Sequence, residues 1–167
     1  MTISKIVQDA INDQIKNELT SAYLYLSMSA YFQTINLPGF AHWMRVQHAE
    51  ELGHAMKFYD YLFDRSGQAV VPSIEKPTTD FKSPLDVFQK YLDHEQKVSA
   101  SIHKLYEIVT KENDYPSQVM LQWFITEQVE EEKTGMDVVE QLKMIGDNRS
   151  ALLYMNKQLG VRAAAKS

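Results

Sequence analysis

The chain has 167 residues, 44% hydrophobic and 23% charged, a size and balance that suit one globular domain with its own core. Its 17 basic and 22 acidic residues leave a net charge of −5, which argues weakly against a dedicated nucleic-acid or membrane-surface binder and leaves room for a cation as partner. The lack of cysteine excludes disulfides, zinc ribbons, thiol nucleophiles and cysteine-bound iron–sulfur clusters.

The N-terminal stretch MTISKIVQDA has no charged start followed by a long apolar run, and no segment is apolar for long enough to span a bilayer. A cytoplasmic protein with one domain over 1–167 is expected. Neither proline nor glycine interrupts the chain from Lys5 to Thr34, which predicts a first helix over 5–34, closed at Asn36-Leu37-Pro38-Gly39. A second is predicted over 38–66, with Pro38 in its first turn and Gly67 as its C-cap. Ser83 before Pro84 opens a third over 84–112, which fades at Glu112-Asn113-Asp114. A fourth runs over 115–145 and stops at Gly146, and a short fifth over 148–160 follows Asp147-Asn148. The tail from Val161 is expected to fray. Apolar residues recur at three- and four-residue steps, as in Phe88, Leu92, Val98, Ile102 and Leu105. Strand-like alternation is absent apart from a few apolar residues near Val70.

The segment 67–83 is long for a connection inside a compact domain. Extended, it reaches roughly 55–60 Å, whereas a helix of about 28 residues is only ~42 Å long. It can therefore travel the length of a bundle and leave the second and third helices parallel. The short turns make the first and last pairs antiparallel. The fold class expected is all-α: a four-helix bundle with one long crossover loop and a short fifth C-terminal helix.

Each long helix places an acid on its apolar stripe. Glu18 is in register with Val7, Ile11, Ile15, Ala22 and Tyr25; Glu51 with Met44, His54, Ala55, Phe58 and Leu62. Glu95 is in register with Phe88, Tyr91, Leu92, Val98 and Ile102, and Gln128 and Glu131 with Leu121, Phe124, Gly135 and Val138. All lie about halfway along their helices, so either direction of travel brings them to one height. Unpaired buried carboxylates are costly, and four together repel, so a bound cation is expected. Glu51 and His54, at i and i+3, can reach one ion from a single face. Oxygen ligands, one imidazole and no thiolate suit iron or manganese better than structural zinc. Four acids with one histidine suggest a pair of ions sharing a carboxylate.

The stretches NELTSAYLYLSMS, HAEELGHAMKF, YLDHEQ and LQWFITEQVEEE, in that order, closely resemble the ferritin family and specifically bacterial non-haem ferritins. The resemblance covers nearly the whole chain, including the crossover and the fifth helix. It implies one iron site from Glu18, Glu51 and His54, with Glu51 bridging to a second completed by Glu95 and Glu131, and Gln128 nearby. It implies a third site from Glu50, Glu127 and Glu130, with Glu131 as a shared ligand. Tyr25 matches the family's tyrosine beside the di-iron centre, and equally reads as a core tyrosine with a satisfied hydroxyl.

The departures point to the subfamily. Gln128-Val129-Glu130-Glu131 stands where a second Glu-x-x-His belongs in the general di-iron pattern, and Leu52 stands where bacterioferritins carry their haem-ligating methionine. No haem is expected. His94, about 100° round the helix from Glu95, is expected to face outward. His42, His48 and His103 read as structural or solvated, and Glu132 as a surface acid.

The resemblance implies iron storage with ferroxidase activity: Fe²⁺ oxidised by O₂ or H₂O₂, and the ferric product stored as mineral in a hollow shell of twenty-four subunits. Two other readings remain, a soluble di-iron oxidase or peroxide reductase that stores nothing, and a helical scaffold without catalysis.

Overall fold

A computed structural model of the protein describes residues 2–164, which form five helices and no strand. They are α1 Lys5–Thr34, α2 Pro38–Asp64, α3 Pro84–Lys111, α4 Tyr115–Ile145 and α5 Arg149–Leu159. No helix among the described residues is long and apolar enough to cross a membrane.

Local sequence bounds each helix by satisfying its orphan backbone groups. Ser4, Ser83, Asp114 and Asn148 cap α1, α3, α4 and α5, accepting from the amides of Val7, Asp86, Ser117 and Ala151. The first three helices end alike. Asn36, Ser66 and Asn113 take φ of 59°, 56° and 54°, and the next amide reaches back to Phe32, Leu62 or Val109 at 2.9, 2.7 and 2.9 Å. The left-handed residue closing α2 is thus Ser66 rather than the glycine that the sequence suggests, and α2 stops at Asp64. Gly67 provides room instead, because a Cβ there would lie 2.9 Å from Ile3 Cγ2.

Helix α2 has Leu37 at its N-cap and no side-chain cap of its own. Asn156 of α5 fills that role, its Oδ1 accepting from Gly39 N at 2.8 Å and Phe40 N at 3.2 Å. The approach is close enough that a Cβ on Gly39 would stand 1.7 Å from the Asn156 carbonyl oxygen. Asn156→Ala is expected to cost about 1 kcal/mol, the usual value of an N-cap. Faster amide exchange at Gly39 and Phe40, with a lower Tm, checks this; unchanged exchange would count against the cap.

Cross-helix bonds fix the topology. Ser29 Oγ donates to Ala41 O, and Ser21 Oγ and Ser101 Oγ link α1 to α3 at His94 and Gln14. Gln128 meets Glu95, and Gln47 meets Glu131. Each neighbouring pair runs antiparallel, so α2 and α3 are parallel, as the crossover length requires. That loop climbs the outside of α1: Asn12 Nδ2 donates to Gln68 O and Ser27 Oγ to Thr78 O.

The apolar core is in two parts. One holds Tyr25, Met28, Phe32, Phe40, Trp43, Phe88 and Tyr91; the other holds Val7, Ile11, Ile15, Phe58, Leu62, Ile102 and Phe124. Between them, at mid-height, lie the buried Glu18, Glu51, Glu95 and Glu131. The apolar clusters stabilise the bundle on both sides of a polar layer that hydrophobic burial alone cannot account for.

Candidate metal centre

Helical register turns each acid inward. Glu18 (1% exposed), Glu51 (1%), Glu95 (0%) and Glu131 (6%) are all buried, with His54 at 5%. Glu18, Glu51 and His54 converge: one candidate ligand atom from each lies within 4.8 Å of the others, the only such group among the described residues. His54 Nδ1 is 3.5 Å from Glu51 Oε2 and 3.9 Å from Glu18 Oε2. The imidazole stands edge-on to Trp123 and Phe124, at 5.4 and 5.9 Å between ring centroids, which holds its plane.

The other two carboxylates face the same layer but are bonded to protein donors. Glu95 accepts from Tyr25 OH, and from Gln128 Nε2 at 3.0 Å. Glu131 Oε2 accepts from Gln47 Nε2 at 2.7 Å and Tyr91 OH at 2.6 Å. Gln47 Nε2 also reaches Glu51 Oε1 at 3.4 Å, and Gln14 Nε2 reaches Glu18 Oε1 at 2.8 Å. Glu18 Oε2 and Gln47 Oε1 are buried without any hydrogen-bond partner. An orphaned carboxylate oxygen beside an imidazole is a donor set suited to a hard or borderline cation.

Electrostatics agree. Burial, then the neighbouring Glu51, pushes the Glu18 carboxyl well above its ordinary range. Burial, then Glu95, does the same to Glu51. Glu95 is pushed up to about 8 by burial and then by Glu131. Burial likewise raises Tyr25 and Tyr91, with Glu95 and Glu131 adding to it, so both phenols keep their protons and act as donors. The buried side chains able to carry positive charge, among the described residues, are His54 and Arg65. Arg65 is committed to Asp114 at 2.8 Å.

The residues expected to form a further cluster are more scattered. Glu127 is half-buried and raised by burial and then Glu131, whereas Glu130 is exposed. Glu50 is raised by burial, against the pull of Arg162, whose guanidinium donates to Glu50 Oε2 at 2.7 Å. Arg162 lies over the Trp43 ring at 4.3 Å, and its carbonyl accepts from His42 Nε2 at 2.8 Å. The start of the tail is therefore docked on α2 instead of frayed, because it carries a cation to a half-buried acid. The tail's residues 165–167 lie outside the described part.

Two side chains expected to face water freely are half-buried and bonded to neighbouring helices. His94 packs against α1, its Nε2 2.8 Å from Ser21 Oγ and its ring edge-on to Tyr25, and burial holds its pKa at about 4. A 100° step from Glu95 leads to the α1 flank because α3 is covered on two sides. Glu132 is half-buried and accepts from Ser99 Oγ at 2.5 Å. Sequence reasoning passed over Gln14, Gln47 and Ser99. The glutamines were findable, since each precedes a buried acid by four residues on the same face: Gln14 before Glu18, Gln47 before Glu51.

A family model described as the ferritin-like domain matches residues 8–145. The chain belongs to the ferritin family. It is 42% identical to a bacterial non-heme ferritin of Bacteroides fragilis over 160 residues, 96% of this chain and 99% of that one. A bacterial non-heme ferritin of Staphylococcus haemolyticus is 39% identical over 161 residues, 96% of this chain and 97% of the other. Among solved structures, an open-pore ferritin of the archaeon Archaeoglobus fulgidus superposes with a TM-score of 0.95 at 44% identity, covering 97% of this chain and 100% of its own. As a ferritin, the chain has a five-helix architecture that the family explains throughout.

Proposed function

We propose that this ferritin stores iron and is a ferroxidase, oxidising Fe²⁺ to Fe³⁺ at a pair of sites inside each subunit. The observation that carries the reading is the mid-bundle layer of four buried carboxylates and one imidazole. Among the described residues no buried lysine or arginine neutralises it. Glu18, Glu51 and His54 are the first iron site. Glu51 bridges to a second that Glu95 and Glu131 complete, with Gln128 beside them. Each pair of Fe²⁺ ions gives up two electrons; O₂ takes them with two protons and leaves as H₂O₂, or H₂O₂ takes them with two protons and leaves as two waters. The carboxylates favour Fe³⁺ over Fe²⁺ by charge, so their part is ligation. Tyr25 holds Glu95 as a hydrogen-bond donor. Glu50, Glu127 and Glu130, with Glu131 shared, receive a third ion, which must displace Arg162 from Glu50.

The ferric product moves on to mineral within a shell of twenty-four copies in the cytoplasm. The relatives' names and the archaeal ferritin's described pore support a cage. Native mass with iron retained after aerobic Fe²⁺ loading tests this. A large cage holding far more than a few ions per chain is expected. A dimer holding about two per chain would instead favour a di-iron oxidase or peroxide reductase without storage. Oxidation at the buffer rate would leave only a scaffold.

A further inference from the structure

Ser99 sits on α3 one turn beyond Glu95 and is 6% exposed. Its hydroxyl has one proton, which goes to Glu132 Oε1 at 2.5 Å. The Ser99 oxygen therefore acts as an acceptor towards Gln128 Nε2, 3.2 Å away. The same amide nitrogen donates to Glu95 Oε2 at 3.0 Å and approaches Glu95 O at 3.3 Å. The chain Glu132–Ser99–Gln128–Glu95 thus has one direction of donation. If the Gln128 amide turned over, its oxygen would face both the Glu95 carboxylate and a serine oxygen whose proton is already committed. On the other flank of α3 the Gln14 amide serves Glu18 in the same sense, its Nε2 donating to Glu18 Oε1 at 2.8 Å while its Oε1 accepts from Asn17 Nδ2 at 3.2 Å; Ser101 Oγ, 2.9 Å from that oxygen, shares its one proton with Val98 O at 2.7 Å.

The outer end of the first chain is open. Ser99, His103, Gln128, Val129, Glu132 and Met136 line a surface groove of about 330 Å³ between α3 and α4. Glu132 stands in its wall and Gln128 reaches it from inside. The network therefore runs from a solvent-facing acid to the half of the polar layer that holds Glu95 and Glu131.

We propose that Ser99 and Glu132 are positioning residues for the second iron site: by claiming the Ser99 proton, Glu132 holds the Gln128 amide with its N–H towards Glu95, and so sets the Glu95 carboxylate for the ion. The inference rests on the paired-iron reading above. It assigns Gln128 to Glu95 as a donor. Ser99 and Glu132 act only through it, and neither touches the metal.

Anaerobic calorimetric titration with Co²⁺, which stays divalent and reports its ligands by visible absorption, separates the possibilities. The unsubstituted protein is expected to take up two Co²⁺ per chain in the acid layer, ahead of any ion at Glu50, from which Arg162 must first leave. Ser99→Ala and Glu132→Ala are each expected to weaken the second ion about fivefold, the worth of one neutral hydrogen bond, and to alter its absorption band. The first ion should be unaffected, and Ser99→Thr, which keeps the hydroxyl, should restore the second. If both alanine variants bind the second Co²⁺ as tightly as the unsubstituted protein, or if both ions weaken equally, the pair is only a staple between α3 and α4 and the inference fails. Fewer than two Co²⁺ in the unsubstituted protein would overturn the paired-iron reading itself. Glu132 is half-buried in the groove wall, outside the two apolar clusters, so Glu132→Ala keeps the test alive if Ser99→Ala folds poorly.

Discussion

Glu51→Ala is expected to slow the fast phase of Fe²⁺ oxidation on the order of 100-fold or more, since losing even an outer partner of a metal ligand costs 10–100-fold. Glu51 is the acid common to both proposed sites. It stands within 4.8 Å of Glu18 and His54 through its Oε2 side, while its Oε1 is reached by Gln47, which also holds Glu131. Removing it takes a ligand from each ion and leaves Gln47 bonded to Glu131 alone. His54→Ala removes a ligand from one ion only, so its loss should be smaller and fall mainly on the first equivalent of iron. The fold should survive both changes, because the two apolar clusters lie above and below the acid layer. Stopped-flow absorbance after anaerobic loading of two Fe²⁺ per chain, with native mass as control, measures this. Glu130→Ala should leave the initial phase alone, as Glu130 is exposed and outside the converging group. Equal initial rates for Glu51→Ala and the unsubstituted protein would remove Glu51 from the centre.

The fold was legible because its signals are local. Proline, glycine and capping serines punctuate the helices, and the length of 67–83 against that of a helix dictates the crossover. The inward turn of Glu18, Glu51, Glu95 and Glu131 was legible for a similar reason: period fixes which residues share a face. Less legible was everything set by a neighbouring element. His94 lies at an angle that on an isolated helix means solvent, yet α1 covers it and Ser21 meets its ring nitrogen. Glu132 is drawn to Ser99 across the α3–α4 seam, and Glu50 to Arg162, which follows it by 112 residues. Trp123, next to the buried Phe124, is 40% exposed beneath Lys57, a placement that its position on the helix leaves open. Periodicity gives the direction of a side chain but not what waits there. The glutamines Gln14 and Gln47 show a middle case. Their spacing from the acids is in the sequence, whereas the Ser101 beside Gln14 and the Glu131 that shares Gln47 belong to other helices.

With metal removed by a chelator, the protein is expected to lose stability as pH rises from about 5 to 9, the reverse of ordinary acid denaturation. In the unfolded chain these glutamates ionise near 4.5, whereas burial and mutual repulsion hold Glu18, Glu51 and Glu95 protonated to higher pH in the fold. A folded pKa above the unfolded one means that the native protein binds more protons between the two values, so stability falls with pH across that window. It is fully present below 4.5 and, for Glu95, lost as pH passes through about 8. At 1.36 kcal/mol per pKa unit, that acid alone accounts for roughly 4–5 kcal/mol. Asp86 and Asp114 work oppositely. Hydrogen bonding from Lys90 lowers Asp86, and at Asp114 burial pushes upward but Arg65 outweighs it, so their contributions vanish only on acidification below about 4. A bound divalent ion should cancel the alkaline loss by replacing the missing protons. An ion at 100 times its Kd adds about 2.7 kcal/mol, and binding strengthens as pH rises towards and beyond about 8, where Glu95 no longer has a proton to lose. Melting temperatures at pH 5 and 8.5, with chelator and with Zn²⁺, decide it. A chelated protein whose Tm is flat or rises over that interval would mean that some other group compensates Glu18, Glu51 and Glu95, and the case for a cation centre would lose its electrostatic footing.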